Sequence, residues 1–507
     1  MKKKMTVKIS ALALASMLVI PTFASCSDDG SGLANSSVGN ADAEYALNVY
    51  VYEAGYGKGW VEKAAEEFCK KYPNYQVHIT SEQGMFEKLK TELDADQCKA
   101  DVALISDTDY SWMASNDHLA DLTDLMEAEL PESDMRLKDI IPEAHVNYRR
   151  LGVGEDAKWY GIPWQDNCAN GIIYNKTFFD AHDLEIPETM DEYFSLCNQI
   201  IDLNTDLYPL IYCGQDDYAL NIPNQWLVEY YGYEYMTNTF HKYDNWEHYK
   251  DTQEGRQKAY DTLARMLSGT RDGKDTGKPY VRPGSATMGA STAQSYFASY
   301  APEAAMYLCG PWFPTEEAEM LEMLGDDFEY GFFGIPHINA DKKDAFGNDS
   351  SNVRYSLASN SLVVPKTSNN KAGAKLFLAE LYSNYSLSVF VEENNGISRP
   401  MTITPDVSGI DTSTNKGAFA KQVYDYYKGS VENPTQMVYE ISTAKMAGRL
   451  SPCNFGNEEE NIVSSIKNAT SYSVAKSGVS GAAARETEWV KGHWDFETNN
   501  WNALYLR

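Results

Sequence analysis

Aromatic rings set among polar residues are the feature of this sequence with the clearest chemical use. The chain has 35 Tyr and 10 Trp in 507 residues. A flat apolar ring suits the C–H face of a pyranose, and neighbouring Asp, Asn and Gln side chains exchange hydrogen bonds with its hydroxyl groups. The rings in polar turn contexts are Tyr56, Trp60, Trp159, Trp164, Trp226 and Trp312. Each of these rings either binds a ligand or fills a core.

The segment GYGKG at 55–59 lies between a predicted strand and a predicted helix, where nucleotide-binding loops occur. A nucleotide fingerprint needs G-x-G-x-x-G, but position 60 is Trp, whose indole would block the approach of a pyrophosphate. We interpret the segment as a ligand loop that carries Tyr56 and Trp60. A plain strand-to-helix turn is the alternative.

The motifs of common enzyme classes do not occur in this sequence. We find no H-E-x-x-H, G-x-S-x-G or G-x-x-x-x-G-K-[ST], and the eight His are scattered. The polar stretch 339–352 is rich in Asp and Asn, but its acids lack the regular spacing of a calcium loop. We therefore predict no catalytic residue, no cofactor and no metal site. Carboxylates are so abundant that counting them leaves a catalytic acid pair open.

The charge balance excludes one class of partner. The chain carries 73 acidic and 43 basic residues, a formal net charge of -30. Such a surface repels phosphate backbones, so we do not expect it to bind nucleic acid. With 43% hydrophobic and 23% charged residues, the composition is that of a folded domain with a sizeable core.

The start of the chain has the pattern of an export signal. Four lysines within the first eight residues precede an uncharged stretch at 9–23, shorter than the ~20 residues of a membrane-spanning helix. We predict a signal peptide at 1–25 and a small, polar tether at 26–44. The segment FASC at 23–26 resembles the lipobox of bacterial lipoproteins, which implies an acylated Cys26. Ordinary cleavage near Ala24 is the alternative.

Strand and helix patterns alternate after the tether. Apolar residues recur with strand period at 47–51, with helical period at 60–68 and 85–93, and as a buried run at 101–105. This alternation predicts an α/β sheet with a ligand crevice at the carboxyl ends of its strands. Asp107, Asp109 and Tyr110 follow the 101–105 strand and are therefore predicted to face that crevice.

Eight short motifs in order carry a resemblance to a known family. They are the strand and glycine turn at 47–59, KADV at 99–102, DLT at 121–123, WYGIP at 159–163, IYNK at 173–176, PETMDE at 187–192, AM at 305–306 with GPW at 310–312, and VPK at 364–366. In this order they resemble the extracellular solute-binding proteins of ABC importers, in the carbohydrate-binding family that includes maltose-binding protein. The resemblance covers about 47–400.

The resemblance implies a two-lobed, periplasmic-binding-protein-like α/β fold, each lobe a mostly parallel sheet flanked by helices. It implies a first lobe of residues 45–163 and 353–399 and a second of 164–352 and 400–507, with a ligand cleft between them. Trp312 matches the sugar-stacking tryptophan of family members. Trp164, Asp166 and Asn167 would follow the first crossing and face the cleft. Arg399 would occupy a third crossing and either bind ligand or brace the hinge.

The resemblance also implies the function. We expect a receptor without catalytic activity, anchored by lipid to the outer face of the cell membrane, that delivers a carbohydrate to an ABC permease. Two alternatives stay open on the sequence: a secreted glycoside hydrolase, which shares the aromatic and acidic composition, and the same binding fold with a non-sugar ligand.

Overall fold

Alternating strands and helices build most of the molecule. The computed structural model describes residues 36–441 and 462–505, apart from 53, 83, 131–133, 153–155, 169, 170, 204, 217, 220, 221, 243, 359 and 431. The predicted signal peptide and Cys26 lie outside the described residues. Among those described, no helix is both long enough and apolar enough to cross a bilayer.

The strands are short and spread along the whole chain. They are β1 (Ser36–Gly39), β2 (Tyr45–Tyr52), β3 (Tyr75–Glu82), β4 (Val102–Ile105), β5 (Arg150–Leu151), β6 (Lys158–Trp159), β7 (Ile162–Pro163), β8 (Asn167–Cys168), β9 (Gly171–Asn175), β10 (Tyr208–Tyr212), β11 (Ala304–Cys309), β12 (Tyr330–Phe333), β13 (Val353–Ala358), β14 (Ser361–Val363) and β15 (Gln436–Ile441). Strands β2 and β4 confirm the strand patterns predicted at 47–51 and 101–105.

The helices lie between the strands and at the carboxyl end of the chain. They are α1 (Gly59–Lys71), α2 (Met85–Asp94), α3 (Asp107–Ser115), α4 (Thr123–Glu127), α5 (Leu137–Ile140), α6 (Glu143–Tyr148), α7 (Lys176–Ala181), α8 (Met190–Asp202), α9 (Ile222–Asn238), α10 (Glu247–Asp251), α11 (Gln253–Ser268), α12 (Ala290–Phe297), α13 (Phe313–Glu316), α14 (Ala318–Leu324), α15 (Lys371–Glu380), α16 (Asn384–Glu393), α17 (Asn415–Lys428), α18 (Ile462–Lys467), α19 (Tyr472–Val479) and α20 (Ala482–Tyr505).

The first lobe is a six-stranded sheet in the order β1-β3-β2-β4-β14-β7 with helices packed on it. Helix α1 follows β2 because its apolar residues recur at helical spacing, and the stripe Trp60, Val61, Ala64, Ala65 and Phe68 is fully buried. Burial of each large side chain in such a stripe contributes about 1.5–3 kcal/mol. Strands β2, β3 and β4 are parallel, so their carboxyl ends meet at one edge of the sheet.

The second lobe is a four-stranded sheet in the order β10-β11-β9-β12. Helix α8 begins with a capping box, in which Thr189 and Glu192 each accept a hydrogen bond from the other's backbone N–H. Strands β10 and β11 are parallel, so they too end at a common edge. The largest apolar cluster of this lobe also holds residues from α9, α11 and α18–α20.

A third, smaller sheet joins the lobes, in the order β15-β13-β8. Strand β8 lies between β7 of the first lobe and β9 of the second, and β13 leads from the second lobe into β14 of the first. The strands that arrive from the other lobe, β9 and β14, pair antiparallel with their neighbours. The two-lobed α/β prediction is confirmed, and these returning strands make both sheets mixed rather than mostly parallel.

Candidate binding site between the lobes

Two loops that follow strand ends meet where the lobes face each other. A short turn after β2 contains Gly55 and Tyr56. Residues 310–316, which follow β11 and include α13, are here called the Trp312 loop. A Cβ atom built on Gly55 would lie only 2.5 Å from the Cβ atom of Trp312. The two lobes therefore touch at these loops, at the edge where α/β sheets bind ligands.

Three partly exposed rings line this junction, and we call them the aromatic recess: Tyr56, Tyr218 and Trp312. The ring centroids of Tyr56 and Trp312 are 6.1 Å apart at an interplanar angle of 70°, and those of Tyr218 and Trp312 are 5.3 Å apart at 77°. Such edge-on contacts fix each ring while leaving ring surface accessible. Tyr56 packs against apolar clusters of both lobes.

A carboxylate stands beside the recess. Glu316, the last residue of α13, keeps accessible surface, yet protein surrounds its carboxylate closely enough for burial to raise its pKa. The side-chain amide of Gln294 donates a hydrogen bond to this carboxylate, and the Gly55 backbone lies close against it. Burial, followed by the negative charge of Glu316, raises the pKa of the adjacent Glu317 to about 7. The site thus combines aromatic faces with hydrogen-bonding oxygen atoms.

Trp60 and Trp164 lie behind the recess and not in it. Both side chains are fully buried in the first-lobe core, with their centroids 5.9 Å apart. Trp164 meets the edge of Tyr56, with 5.1 Å between ring centroids. The prediction that these two rings contact ligand is corrected, because neither has accessible surface. Trp164 supports Tyr56, and Trp60 packs against Trp164.

Trp226 and Tyr110 are also core residues. Trp226 is fully buried on α9, where its indole N–H donates to the Pro336 carbonyl oxygen at 3.0 Å. Tyr110 is fully buried on α3, and its hydroxyl donates to the Arg149 carbonyl oxygen at 3.1 Å. Both predictions are corrected for the same reason, since all ring surface is covered.

The predicted acids after β4 begin a helix. The Ser106 hydroxyl accepts a hydrogen bond from the Asp109 backbone N–H at 3.2 Å and donates to the Asp109 carboxylate at 2.5 Å. Asp109 is partly exposed, so this capping role leaves part of its carboxylate accessible. Asp107 opens α3 and Asn167 lies in β8, but their side chains are outside the described part of the structure.

Asp166 and Arg399 brace the junction. The buried Asp166 carboxylate accepts a hydrogen bond from the Lys428 ammonium at 2.8 Å. The Arg399 guanidinium donates to the Trp164 carbonyl oxygen at 2.7 Å and lies 4.1 Å from the Phe390 ring centroid. Burial lowers the pKa of Arg399 to about 10. Of the two roles left open for Arg399, the structure supports the brace.

Sequence reasoning missed Tyr218, Glu316 and Gln294. Tyr218 follows the carboxyl end of β10, so the strand-end rule that selected Asp109 in the first lobe could have found it. Glu316 is one of 73 acidic residues, and no local pattern distinguishes it. Within the described residues, no group of three or more His, Cys, Asp or Glu side chains could hold a metal ion.

Comparisons with known proteins agree with this architecture. Diacetylchitobiose binding protein DasA of Streptomyces coelicolor is 28% identical over 221 residues, which are 43% of this chain and 47% of DasA. The chain spans about half the length of the curated relatives it matches. The GacH receptor of Streptomyces glaucescens superimposes with a TM-score of 0.55 at 17% identity, covering 88% of this chain and 99% of GacH.

RafE of Streptococcus pneumoniae, solved in its apo form, superimposes with a TM-score of 0.55 at 16% identity, covering 89% of this chain and 99% of RafE. At these identities the two structures show a shared fold. The family model of the bacterial extracellular solute-binding proteins matches residues 51–385. That match includes strands of both sheets, the glycine turn and the Trp312 loop. The chain belongs to the bacterial extracellular solute-binding proteins.

Proposed function

We propose that this chain captures a carbohydrate, of oligosaccharide length, between its lobes and delivers it to the permease of an ABC importer without chemical conversion. The observation that carries the proposal is the aromatic recess. Rings from both lobes, Tyr56 on one side and Trp312 and Tyr218 on the other, keep accessible surface where the lobes meet. A stacking ring beside hydrogen-bonding groups is the usual composition of a sugar site.

The ligands of related proteins support a sugar as ligand. DasA is named for diacetylchitobiose, one structure of RafE holds raffinose, and GacH was solved with acarbose. All three ligands consist of linked rings, and an aromatic platform suits each of them. The acidic net charge of -30 agrees with a neutral ligand better than with an anionic one.

The lobe boundaries remain predictions and form part of this proposal. Changes of lobe near 163 and 353 fit the positions of β8 and β13 in the linking sheet. A hinge there would let a ligand shift an open–closed equilibrium toward the closed form, because only that form brings both halves of the recess onto it.

We also propose that acylated Cys26 anchors the protein to the outer face of the cell membrane. An anchor keeps a receptor near its permease, and the polar tether at 26–44 gives it reach. Cys26→Ser should release the protein from the membrane fraction or block its maturation, because acylation needs the thiol. Continued membrane association of the cleaved variant would contradict the anchor.

The test of the main proposal is a thermal-shift screen against diacetylchitobiose, raffinose, acarbose and neutral oligosaccharides of increasing length. A ligand that binds only the folded state raises the unfolding temperature. We expect at least one sugar to do so and to be recovered intact afterwards. Released hydrolysis products would favour a glycoside hydrolase, and a response only to peptides or polyamines, screened beside the sugars, would favour a non-sugar ligand.

A further inference from the structure

A buried amide of the first lobe holds the loop that carries Trp312. Asn395 follows α16, which packs on α1, and its side chain is completely buried. Its Nδ2 atom donates to the Pro311 carbonyl oxygen and to the Thr315 Oγ1 atom, both at 2.9 Å. These two acceptors lie on either side of Trp312 along the chain. The amide therefore fixes both ends of the turn that presents the indole.

The backbone of Asn395 explains the residue type. Its φ is +51°, in the left-handed region that Asn adopts more readily than most residues. Glycine would adopt this φ too, but it would bring no side-chain amide. The position thus requires both a left-handed backbone and an N–H donor.

In a second contact between the lobes, a side chain of the Trp312 loop meets the backbone of the first lobe. The Glu316 carboxylate of the second lobe lies against the backbone of Gly55 in the first lobe. Gln294 on α12 donates to the same carboxylate and holds it on the second-lobe side. A Cβ atom on Gly55 would lie 2.9 Å from the Glu316 Oε1 atom, so the approach depends on glycine.

We propose that Asn395 and Glu316 are positioning residues that clamp the Trp312 loop onto the first lobe, so that the aromatic recess is complete only when the lobes are closed. The inference rests on the proposed function for its ligand, but the clamp itself is a property of the ligand-free protein. When the lobes separate, the two Asn395 hydrogen bonds and the contact between Gly55 and Glu316 are lost together. The Trp312 loop then loses the contacts that fix the orientation of the ring.

The clamp is tested with two variants that remove its contacts and two control variants that keep them. Asn395→Asp keeps shape and backbone preference but removes both N–H donors, and Glu316→Ala removes the acceptor. Glu316→Gln keeps the size of the side chain against Gly55 and an oxygen atom that accepts from Gln294, so it should match wild type. Asn394→Asp is the control, because Asn394 is equally buried but its amide donates to the Phe390 carbonyl oxygen of α16, at 2.8 Å, and not to the Trp312 loop.

The measurements are the radius of gyration without ligand, the unfolding temperature, and the affinity for the tightest sugar in the screen. We expect Asn395→Asp and Glu316→Ala to enlarge the ligand-free radius and to weaken sugar binding by about tenfold, the size of one or two lost hydrogen bonds. Glu316→Gln and Asn394→Asp should match wild type in both. Glu316 keeps accessible surface, so its variants test the clamp even if Asn395→Asp does not fold.

Each outcome decides the question. Radii of Asn395→Asp and Glu316→Ala equal to that of wild type would overturn the clamp, whatever their unfolding temperatures. A fall in unfolding temperature without a change of radius would also overturn it, since that is the behaviour of a merely structural residue. If Asn395→Asp and Glu316→Ala have enlarged radii but the wild-type protein binds no sugar, the clamp stands and the proposed carbohydrate ligand is overturned.

Discussion

Trp312 and Trp226 are the same residue type in similarly polar sequence surroundings, yet they have opposite roles in the structure. Trp312 follows the carboxyl end of β11 and keeps accessible ring surface at the lobe junction. Trp226 lies on α9 and is fully buried in the second-lobe core. The difference shows that position relative to a strand end, and not the polarity of flanking residues, decides which of the two rings stays accessible at the lobe junction.

The polar residue beside Trp226 makes hydrogen bonds inside the protein and not with solvent. Gln225 is buried, and its Nε2 atom donates to the Val353 carbonyl oxygen at 3.0 Å. Its Oε1 atom accepts from the Tyr355 backbone N–H at 2.8 Å. These bonds tie α9 to β13 and satisfy groups that would be costly to bury alone. Polar residues beside a tryptophan therefore indicate a ligand site only where they stay accessible.

The largest effect in this comparison should be on stability. Trp226→Ala removes a fully buried indole from the second-lobe core, and we expect unfolding free energy to fall by about 3–5 kcal/mol. Denaturant unfolding measures the loss. The folded fraction should still bind sugar with wild-type affinity, and a weaker intrinsic affinity would show that Trp226 shapes the site after all.

Trp312→Ala should have the converse effect. Its ring is partly exposed, so the unfolding temperature should change little, while sugar affinity should fall by about 2 kcal/mol, or roughly 30-fold. Calorimetric titration measures the affinity. Tyr300→Ala is a suitable control, because Tyr300 is an aromatic residue at 70% accessibility whose hydroxyl donates to the Met323 carbonyl oxygen and not to a residue of the recess. Unchanged binding by Trp312→Ala would remove this residue from the site.

Gly55→Ala should show how much of the sugar affinity depends on closure of the lobes, because the variant keeps the Trp312 ring. The new methyl group would meet the Cβ atom of Trp312, so the lobes could not close fully, and we expect sugar affinity to fall about tenfold while both lobes stay folded. Gly84→Ala, just before α2 in the same lobe, is the control, since its φ of −85° suits alanine and no atom lies within 4 Å of the Cβ position. Equal affinities for the two variants would contradict a closed form with these loops in contact.

The smallest expected effect concerns Glu317. Its pKa is raised from 4.5 to about 7, so the folded protein holds this proton more tightly than the unfolded chain does. The resulting stability is complete below about pH 4.5 and is lost as pH rises through 7. Glu317→Gln should therefore raise stability over wild type at pH 8, by about 1 kcal/mol after solvent screening, but not at pH 4.

Glu319→Gln on the exposed surface of α14 is the control for that comparison. Thermal unfolding at the two pH values gives the result. A stabilisation by Glu317→Gln of the same size at pH 4 and pH 8 would mean that the carboxylate does not titrate between them.

The features that the sequence predicted correctly are those that depend on residues close together along the chain. The period of apolar residues placed β2, α1 and β4, and the ordered motifs indicated the two-lobed fold and the loop that carries Trp312. Local pattern could not find Glu316 or Asn395, because the residues they contact, Gly55 and Pro311, lie in the other lobe and far away along the chain. It also could not separate Tyr56, which stays partly exposed, from Trp60 and Trp164, which pack beneath it.

The central claim is that a sugar binds at the aromatic recess between the lobes. A crystal structure of the protein with the tightest sugar from the screen tests it most directly. We predict one pyranose ring stacked on the indole of Trp312, with carbon atoms of the two rings about 3.5–4 Å apart, and the Tyr56 ring on the same sugar. A sugar bound elsewhere, or bound at the junction without contact to Trp312, would contradict the account.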